Sequence, residues 1–383
     1  MIYLDHAAAT PLDDRVRAAM QPFEQARFFN PSAIYTAARQ VREEVDGFRR
    51  QIAGQLGAKP SEVIFTAGAT ESINLAVAGT TRAHPGSTVA VSAIEHKAVR
   101  VSGTGYAEKV IALPVRSDGR LQLEEIATGI TDEVVLISVA LVNGEVGVIQ
   151  SLSKIAALLQ DIRLERQQRG VSRPLFLHSD ASQAPEYIDI QVQKLGVDLL
   201  TLNGGKIYGP KQSGILYVRH GIELAPLIYG GGQERGLRGG TESVAALAGF
   251  ATALEIAQAG QRSEAQRQTA LQRQLLQGLS TIADTEVNGS LKHRIPGNVN
   301  VSFRGVNGEM LVHHLDTHGI LAATGAACNA GGTEPSATLM ALGCDKDRLT
   351  GSLRFSLGRS TTTADINTLL TVLHELVPKL RQR

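Results

Sequence analysis

The sequence predicts an α/β fold with two domains, and three observations support this prediction. Short apolar strands alternate with helical segments through most of the chain, which is typical of parallel strands joined by right-handed crossovers. The run Val134–Ile137 is continuously apolar, as expected for a strand buried on both faces of a sheet. After about Phe250 the pattern changes to fewer, more widely spaced elements. We therefore expect a large domain over residues 14–250 and a small α+β domain formed by residues 1–13 and 251–383.

Apolar periodicity, β-branched runs and turn residues define the elements in chain order. In the large domain we predict helices over Asp14–Arg27 and Ala37–Leu56, a strand over Val63–Thr66, a helix ending near Arg82, strands over Thr88–Ser92, Lys109–Leu113 and Val134–Val139, a helix over Leu152–Gln168, and strands over Leu175–His178, Val197–Leu202 and Ser213–Val218. In the small domain we predict a long polar helix over Glu255–Leu279, a strand over Asn298–Phe303, a helix from Glu309, a strand over Ser352–Leu357 and a closing helix from Ala364.

Composition excludes several classes of protein. The chain has 383 residues, of which 43% are hydrophobic and 20% charged, and its net charge is +1. This balance argues against a nucleic-acid or membrane-surface partner. The longest apolar stretch, near Val134–Val142, is too short to span a bilayer, and the N-terminus does not resemble a signal peptide. The two cysteines, Cys328 and Cys344, could form at most one disulfide, so we expect a cytoplasmic protein.

The segment from Asn203 to Lys211 carries the strongest chemical signal in the large domain. Lys206 follows two glycines, precedes Gly209-Pro210 by three residues, and lies between two predicted strands. Glycines permit tight turns and close approach of a ligand, and proline stiffens the turn. This placement suits a lysine that forms a Schiff base with a carbonyl cofactor. A surface lysine in a hairpin turn remains the alternative.

Polar residues also follow three other predicted strands, where ligands of doubly wound sheets collect. Gly68–Thr70 begins a helix and could bind phosphate, or Thr70 could simply cap that helix. His96 could stack on an aromatic cofactor or move protons, or could be a hydrogen-bonded loop residue. Asp180 ends a buried strand, so it either pairs with a cation such as a protonated pyridine or caps the next segment.

These motifs occur in an order that resembles the class V enzymes that depend on pyridoxal 5'-phosphate (PLP), specifically cysteine desulfurases of the NifS/IscS type. The resemblance extends over nearly the whole chain. The matching segments are Tyr3–Asp5, Ala9–Pro11, Asn30–Ser32, Gly68–Ser72, Glu95–Val99, Asp180–Gln183, Lys206–Lys211, Gly230–Gly236, Arg238, Thr241, the Cys328 loop, Glu334–Ser336 and Arg354–Arg359.

The resemblance implies the PLP-dependent transferase fold type I, with a mostly parallel seven-stranded sheet in the large domain. It also implies a homodimer, no metal, and a set of cofactor-binding residues: Ala69, Thr70, His96, Asp180, Gln183, Asn203, Lys206 and Thr241. Lys206 would bind PLP covalently, Asp180 would pair with the pyridine nitrogen, and Gln183 would bond the ring hydroxyl. Asn203 stands where a phosphate-binding serine is usual, and Thr241 would reach the phosphate in the other subunit.

The resemblance further implies catalytic roles for Lys206, His96 and Cys328 and substrate binding by Arg354 and Asn30. L-cysteine would be converted to L-alanine, and a persulfide would remain on Cys328 for transfer to an acceptor or scaffold protein in iron–sulfur or thiolation pathways. The segment Ala322–Gly332 is rich in small residues, which suits a cysteine that must move between two positions. Cys344 belongs to no motif and is expected to be inert.

Two of the departures of this sequence from the family remove polar contacts. Gly205 replaces a histidine that usually precedes the Schiff-base lysine, and Gly144 aligns with an asparagine that touches the ring hydroxyl and the substrate. Asn143 lies one position away, where a strand would point it to the opposite face. Two alternatives therefore stay open: a selenocysteine lyase or another class V enzyme, and a non-catalytic homologue that acts as an interaction scaffold.

Overall fold

The computed structural model describes residues 1–324 and 335–382, which form thirteen strands and twelve α-helices. The strands are β1 (Ile2–Tyr3), β2 (Val63–Thr66), β3 (Thr88–Ser92), β4 (Lys109–Leu113), β5 (Val134–Ser138), β6 (Phe176–Asp180), β7 (Leu199–Asn203), β8 (Gly214–Val218), β9 (Thr285–Val287), β10 (Asn298–Phe303), β11 (Ile320–Leu321), β12 (Ala323–Thr324) and β13 (Ser352–Ser356). The helices are α1 (Asp14–Gln25), α2 (Thr36–Leu56), α3 (Ala69–Ala83), α4 (Lys97–Tyr106), α5 (Leu123–Gly129), α6 (Leu152–Gln168), α7 (Val192–Leu195), α8 (Val244–Leu279), α9 (Gly308–Thr317), α10 (Ala337–Ala341), α11 (Lys346–Thr350) and α12 (Thr363–Arg381).

A seven-stranded sheet organises the first part of the chain, in the order β2-β8-β7-β6-β5-β3-β4. Strands β7, β6, β5, β3 and β4 run parallel, whereas β8 is antiparallel to both of its neighbours, β2 and β7. The mostly parallel α/β sheet predicted from the sequence is therefore confirmed. Because β2 runs in the same direction as β7, the carboxyl ends of β2, β3, β5, β6 and β7 all meet at one edge. That edge is where a ligand site is expected.

The later part of the chain forms a smaller antiparallel sheet in the order β12-β13-β10-β9, and β11 pairs with β1. Helices α9 and α12 pack beside it and contribute to a separate apolar cluster that includes Phe303, Phe355 and Leu373. The N-terminal segment crosses to this sheet, since Asp5 bridges to Ser356. Residues at the two ends of the sequence therefore meet near the edge of the large sheet.

Helix α8 connects the apolar cluster around the large sheet with the smaller cluster beside the antiparallel sheet. Its first half packs into the cluster around the large sheet through residues such as Leu247 and Phe250. Its second half packs into the smaller cluster through Leu271, Leu275 and Leu279. The domain boundary expected at residue 250 falls inside this continuous helix, and the division into two domains stays a prediction.

The predicted elements agree closely with the structure, and α8 is the clearest correction. The sequence predicts its start at Glu255, but it begins at Val244. The additional first turns are apolar and almost entirely buried, so they lack the one-sided polar pattern by which a surface helix is recognised. Cys344 is buried, and burial raises the pKa of its thiol, which fits its expected inert role.

Two features of residues 1–324 and 335–382 bear on function. None of the helices there combines the length and apolar character required to cross a bilayer. The same residues contain no cluster of three or more His, Cys, Asp or Glu side chains arranged to hold a metal ion.

Candidate active site

A cavity of about 450 Å³ lies at the carboxyl edge of the large sheet. Eight residues selected from the sequence line it together: Ala69, Thr70, His96, Asp180, Gln183, Asn203, Lys206 and Arg354. They come from the ends of four strands of the large sheet and from β13 of the small sheet. The structure thus gathers most of the predicted site residues around one space between the two sheets.

Lys206 lies on a short 3₁₀ turn, Gly204–Lys206, between β7 and β8. The side chain of Asn203 accepts a hydrogen bond from the N–H of Gly205 at 3.0 Å and thereby fixes this turn. The Lys206 Nζ donates to the carbonyl oxygens of Ala7 and Ala8 at 2.7 and 2.6 Å. The lysine therefore lies in the wall of the cavity rather than on the outer surface of a hairpin.

The turn before Lys206 requires glycine at position 204. A Cβ atom on Gly204 would lie 2.2 Å from the Ser213 Oγ and 3.1 Å from the Phe250 ring. Contacts this short require the neighbouring chain to move. Gly204 therefore serves close packing beside the lysine, a role that the sequence did not predict.

Asp180 ends β6 at the floor of the cavity, where its Oδ1 accepts a hydrogen bond from the Ser182 N–H at 2.9 Å. His178 lies two residues earlier on the same strand, with its ring nitrogens 2.8 Å from the Ser138 Oγ and 3.0 Å from the Thr201 Oγ1. Burial lowers the pKa of His178 to about 4, so this histidine is neutral and does not offset the charge of Asp180. A cation in the cavity would therefore be stabilised beside Asp180.

The start of α3 offers an anion site on another side of the cavity. Gly68 adopts φ of 126°, a conformation that favours glycine, and as the N-cap residue it offers no side chain to cap the helix. Ala69 and Thr70 then open α3 and line the cavity. Because the first N–H groups of a helix lack carbonyl partners within it, this terminus suits a phosphate group.

His96 and Glu95 form a third wall, between β3 and α4. The His96 Nδ1 caps α4 by accepting from the Ala98 N–H at 3.1 Å. Glu95 is 3% exposed; one carboxyl oxygen accepts from the Ala140 N–H, and the other has no hydrogen-bond partner among the described residues. Burial, with the nearby charge of Asp180, raises the pKa of Glu95 to about 8. A neutral carboxyl therefore stands in this wall at pH 7.

Sequence reasoning gave no role to Glu95, although it precedes His96 directly. The sequence feature that could have revealed Glu95 is a carboxylate in an apolar turn between a buried strand and a helix. Arg100 was also missed; it lines the cavity one helical turn after His96. The four-residue spacing on α4 would have placed both side chains on one face.

Arg354, the predicted substrate-binding residue, lies in β13 with its side chain 6% exposed. Its Nη2 forms an ion pair with the Asp5 Oδ1 at 2.6 Å, and its Nη1 donates to the carbonyl oxygen of Gly144 at 3.1 Å. Arg354 therefore forms a structural ion pair and lines the cavity at the same time. Sequence spacing could not reveal this pair, since Asp5 and Arg354 are 349 residues apart.

Asn143, the neighbour of Gly144, is held by several hydrogen bonds. The Asn143 side chain donates to the carbonyl oxygen of Ile94 at 2.6 Å and accepts from the N–H groups of Glu145 and Val146. These hydrogen bonds join Asn143 to its own turn and to the segment after β3, and Asn143 also borders the cavity. The Gln183 Nε2 donates to the Ala7 carbonyl at 3.0 Å.

Two predicted site residues lie outside this cavity, and a third is not among the described residues. Asn30 and Thr241 are exposed and lie outside the set of described side chains that line it. The Asn30 side chain instead accepts from the Ser32 N–H at 2.9 Å. Cys328 lies outside the described residues, and so does Glu334 of the adjacent motif.

The described residues fit PLP. The cavity combines a lysine amine at Lys206, a carboxylate at Asp180 and a helix N-terminus at Ala69 and Thr70. These groups match the aldehyde, the pyridine nitrogen and the phosphate of the cofactor, respectively.

Comparison with known proteins supports this assignment. The chain matches the family model "Aminotransferase class-V" over residues 2–369. It is 38% identical to a protein of Methanosarcina thermophila named "Cysteine desulfurase IscS", over 99% of this chain and 93% of that relative. A protein of Dictyoglomus turgidum with the same name is 37% identical, over 99% of this chain and 95% of its own length.

Solved structures agree with these relatives. A structure titled "NIFS-LIKE PROTEIN" superposes with a TM-score of 0.90 at 31% identity, over 99% of this chain and all of that one. Another, titled "SspA in complex with cysteine", superposes with a TM-score of 0.79 at 30% identity, over 93% of this chain and 99% of that one. The chain belongs to the class V aminotransferase family and, within it, to the cysteine desulfurases.

Proposed function

We propose that this chain is a PLP-dependent cysteine desulfurase that converts L-cysteine to L-alanine and retains the sulfur as a persulfide on Cys328. The observation that carries the proposal is the joint presence of Lys206 and Asp180 in one cavity with the N-terminus of α3. A relative solved in complex with cysteine supports the choice of substrate. When bound, PLP supplies an electron sink that weakens the bonds at the α-carbon of an amino acid.

The residues of the chain hold the reacting groups in place around that cofactor. Ala69 and Thr70 bind the phosphate, Asp180 keeps the pyridine nitrogen protonated, and His96 covers the ring. The Arg354 guanidinium orients the carboxylate of the substrate. The Lys206 Nζ holds the cofactor at rest and, once released, moves the α-proton of the substrate, for which its position in the cavity wall is suitable.

We assign the sulfur-transfer step to Cys328 on the basis of the sequence. Its thiolate attacks the sulfur of the bound cysteine, and a sulfur–sulfur bond forms as the carbon–sulfur bond breaks. The electron pair of the broken bond stays with the β-carbon, which takes up a proton to give alanine. The sulfur remains on Cys328 as a persulfide that an acceptor protein can collect.

We further propose that the protein works as a cytoplasmic homodimer in iron–sulfur cluster assembly or thiolation. The exposed position of Thr241, away from the cavity of its own subunit, supports the inference that it binds the phosphate in the partner subunit. The relatives named IscS support a role as sulfur donor.

Sulfide release from L-cysteine by the purified, PLP-loaded protein tests this proposal. A thiol reductant such as dithiothreitol is included, because it supplies the two electrons that release the persulfide sulfur as sulfide, and we then expect alanine and sulfide in equal amounts. Selenide release from selenocysteine is measured alongside to distinguish a selenocysteine lyase. Cys328→Ser should abolish sulfide release and keep the visible absorption of the bound cofactor, and Cys344→Ser is the matched control that should keep both. Undiminished sulfide production by Cys328→Ser would contradict the persulfide role.

A further inference from the structure

A second, smaller cavity borders the active-site cavity. Its volume is about 20 Å³. A single water molecule requires roughly 10–15 Å³. Ala7, Ser182, Gln183 and Lys206 line both the second cavity and the active-site cavity. A molecule in the second cavity would therefore contact the same wall that carries Lys206.

Three polar side chains that line the second cavity contain buried atoms without a partner. His6 and Ser182 are each 6% exposed, and Asn298 is 1% exposed. The His6 Nε2, the Ser182 Oγ and the Asn298 Oδ1 have no hydrogen-bond partner among the groups that the structure describes. Ordered water is the usual partner of buried polar atoms that other protein groups do not reach. The size of the second cavity and its lining thus both suit water.

The polar groups around the second cavity include both donors and acceptors. The His6 Nδ1 lies 3.1 Å from the carbonyl oxygen of Ser356, which can only accept, so Nδ1 carries the hydrogen and Nε2 is an acceptor. Burial also lowers the pKa of His6, which keeps the ring neutral at pH 7. The Ser182 hydroxyl can donate, and so can the Tyr208 hydroxyl, whose oxygen accepts from the Arg359 N–H at 2.7 Å. A water molecule can donate to His6 and accept from either hydroxyl.

His6 also precedes the backbone group that contacts Lys206. Ala7, the next residue, donates its N–H to the Ser356 Oγ at 2.9 Å. The Ala7 carbonyl oxygen accepts from the Lys206 Nζ at 2.7 Å and from the Gln183 Nε2 at 3.0 Å. A ring held at both nitrogens, by Ser356 at Nδ1 and by water at Nε2, would therefore fix the segment that orients the lysine amine.

We propose that the second cavity is a water-binding site and that His6, through this water, is a positioning residue for the Lys206 amine. The water bridges the His6 Nε2 to the hydroxyl groups of Ser182 and Tyr208. It thereby joins the N-terminal segment to the turns that follow Asp180 and Lys206. The role of His6 rests on the proposed function, in which the Lys206 amine moves the α-proton of the substrate, whereas the water site itself does not.

A high-resolution crystal structure of the PLP-loaded protein tests the water site. In the wild type we expect an ordered water within hydrogen-bond distance of the His6 Nε2 and of the hydroxyl of Ser182 or Tyr208. In His6→Leu, which removes the acceptor, we expect this water to be lost. A second cavity that is dry in the wild type would overturn the proposal.

Exchange of the α-hydrogen of L-alanine in heavy water, followed by NMR, tests the role of His6 without any sulfur chemistry. We expect His6→Leu to slow this exchange about tenfold. His6→Gln, whose amide keeps one donor and one acceptor, should restore exchange to within about threefold of the wild type. Ser182→Ala removes one partner of the water but keeps the backbone N–H that Asp180 accepts from, and should slow exchange less than His6→Leu does.

His84→Leu is the matched control. His84 is also partly buried, but it lies at the end of α3 and lines neither cavity, so exchange should be unchanged. Wild-type exchange in His6→Leu would overturn the role of His6. Equal slowing in His6→Leu and His6→Gln would also overturn it, because ring packing rather than hydrogen bonding would then be responsible. Should His6→Leu fail to fold, Ser182→Ala carries the test, and wild-type exchange in that variant would count against the proposal.

Failure of this inference is distinguishable from failure of the proposed function. The water position and the exchange of alanine report on the second cavity and on Lys206 whether or not cysteine releases sulfide. A protein that releases sulfide while His6→Leu exchanges alanine at the wild-type rate retains its proposed function and loses only the role of His6. A protein that releases no sulfide but shows exchange dependent on His6 would lose the desulfurase function and keep that role.

Discussion

Glu95→Gln is expected to stabilise the protein in a pH-dependent way. The carboxyl of Glu95 is buried, and its pKa rises from the ordinary 4.5 to about 8. At a pH between these two pKa values, Glu95 is deprotonated in the unfolded chain but keeps its proton in the folded chain. The free energy of unfolding of the wild type therefore falls as pH rises through this window, whereas a glutamine at this position has no proton to release.

The size of the expected difference in stability follows from the shift in the pKa of Glu95. One pKa unit is worth about 1.4 kcal/mol, so the difference between the two proteins could grow by up to about 4 kcal/mol from pH 5 to pH 8. Partial access of water to the cavity would reduce this limit, and we expect about 2–4 kcal/mol at pH 8. At pH 5 the two proteins should differ by less than about 1 kcal/mol, since glutamine keeps the acceptor for the Ala140 N–H.

Urea unfolding of both proteins at several pH values measures this difference, and Glu62→Gln is the matched control. Glu62 is also buried, but its carboxylate accepts from the N–H groups of Lys59 and His220 at 2.7 and 2.8 Å. That substitution should lower stability at pH 8. A Glu95→Gln variant whose advantage over the wild type does not increase with pH would refute the reasoning, because it would show that Glu95 is ionised in the folded protein.

Two further substitutions test other contacts of the site. Asp180→Ala removes the carboxylate expected to pair with the pyridine nitrogen. We expect kcat for sulfide release to fall by at least about a hundredfold, which corresponds to an activation free energy higher by on the order of 3 kcal/mol. A loss of kcat below tenfold would contradict the role of Asp180. Asp5→Ala leaves the buried Arg354 guanidinium without its carboxylate partner at 2.6 Å. Urea unfolding should show that the free energy of unfolding falls by about 3 kcal/mol, and by less in Asp5→Asn. An unchanged unfolding midpoint would show that the ion pair does not stabilise the fold.

Much of the fold could be predicted from the sequence because the local signals are unambiguous. Strands β2, β3, β4 and β10 have the predicted bounds, since each is a short β-branched or apolar run flanked by turn residues. The predicted bounds of α6 are also those observed. The first turns of α8 were missed because a helix buried on most sides has no polar face to reveal its period.

The candidate site was only partly predictable. The strand-end rule placed Lys206, Asp180, His96 and Thr70 at one edge, and all four line the cavity. Contacts between distant segments could not be derived in this way. The carbonyl groups of Ala7 and Ala8 reach Lys206 from the N-terminus, and only the packing of the two sheets brings them there.

The most direct test of the central claim is reductive trapping of the bound cofactor, followed by mass spectrometry of the digested protein. Treatment of the PLP-loaded protein with borohydride fixes the cofactor on the amine that holds it. We expect the added mass on the peptide that contains Lys206, and Lys206→Ala should show none. Attachment to another lysine near the cavity, such as Lys97 or Lys211, or no attachment at all, would contradict the account.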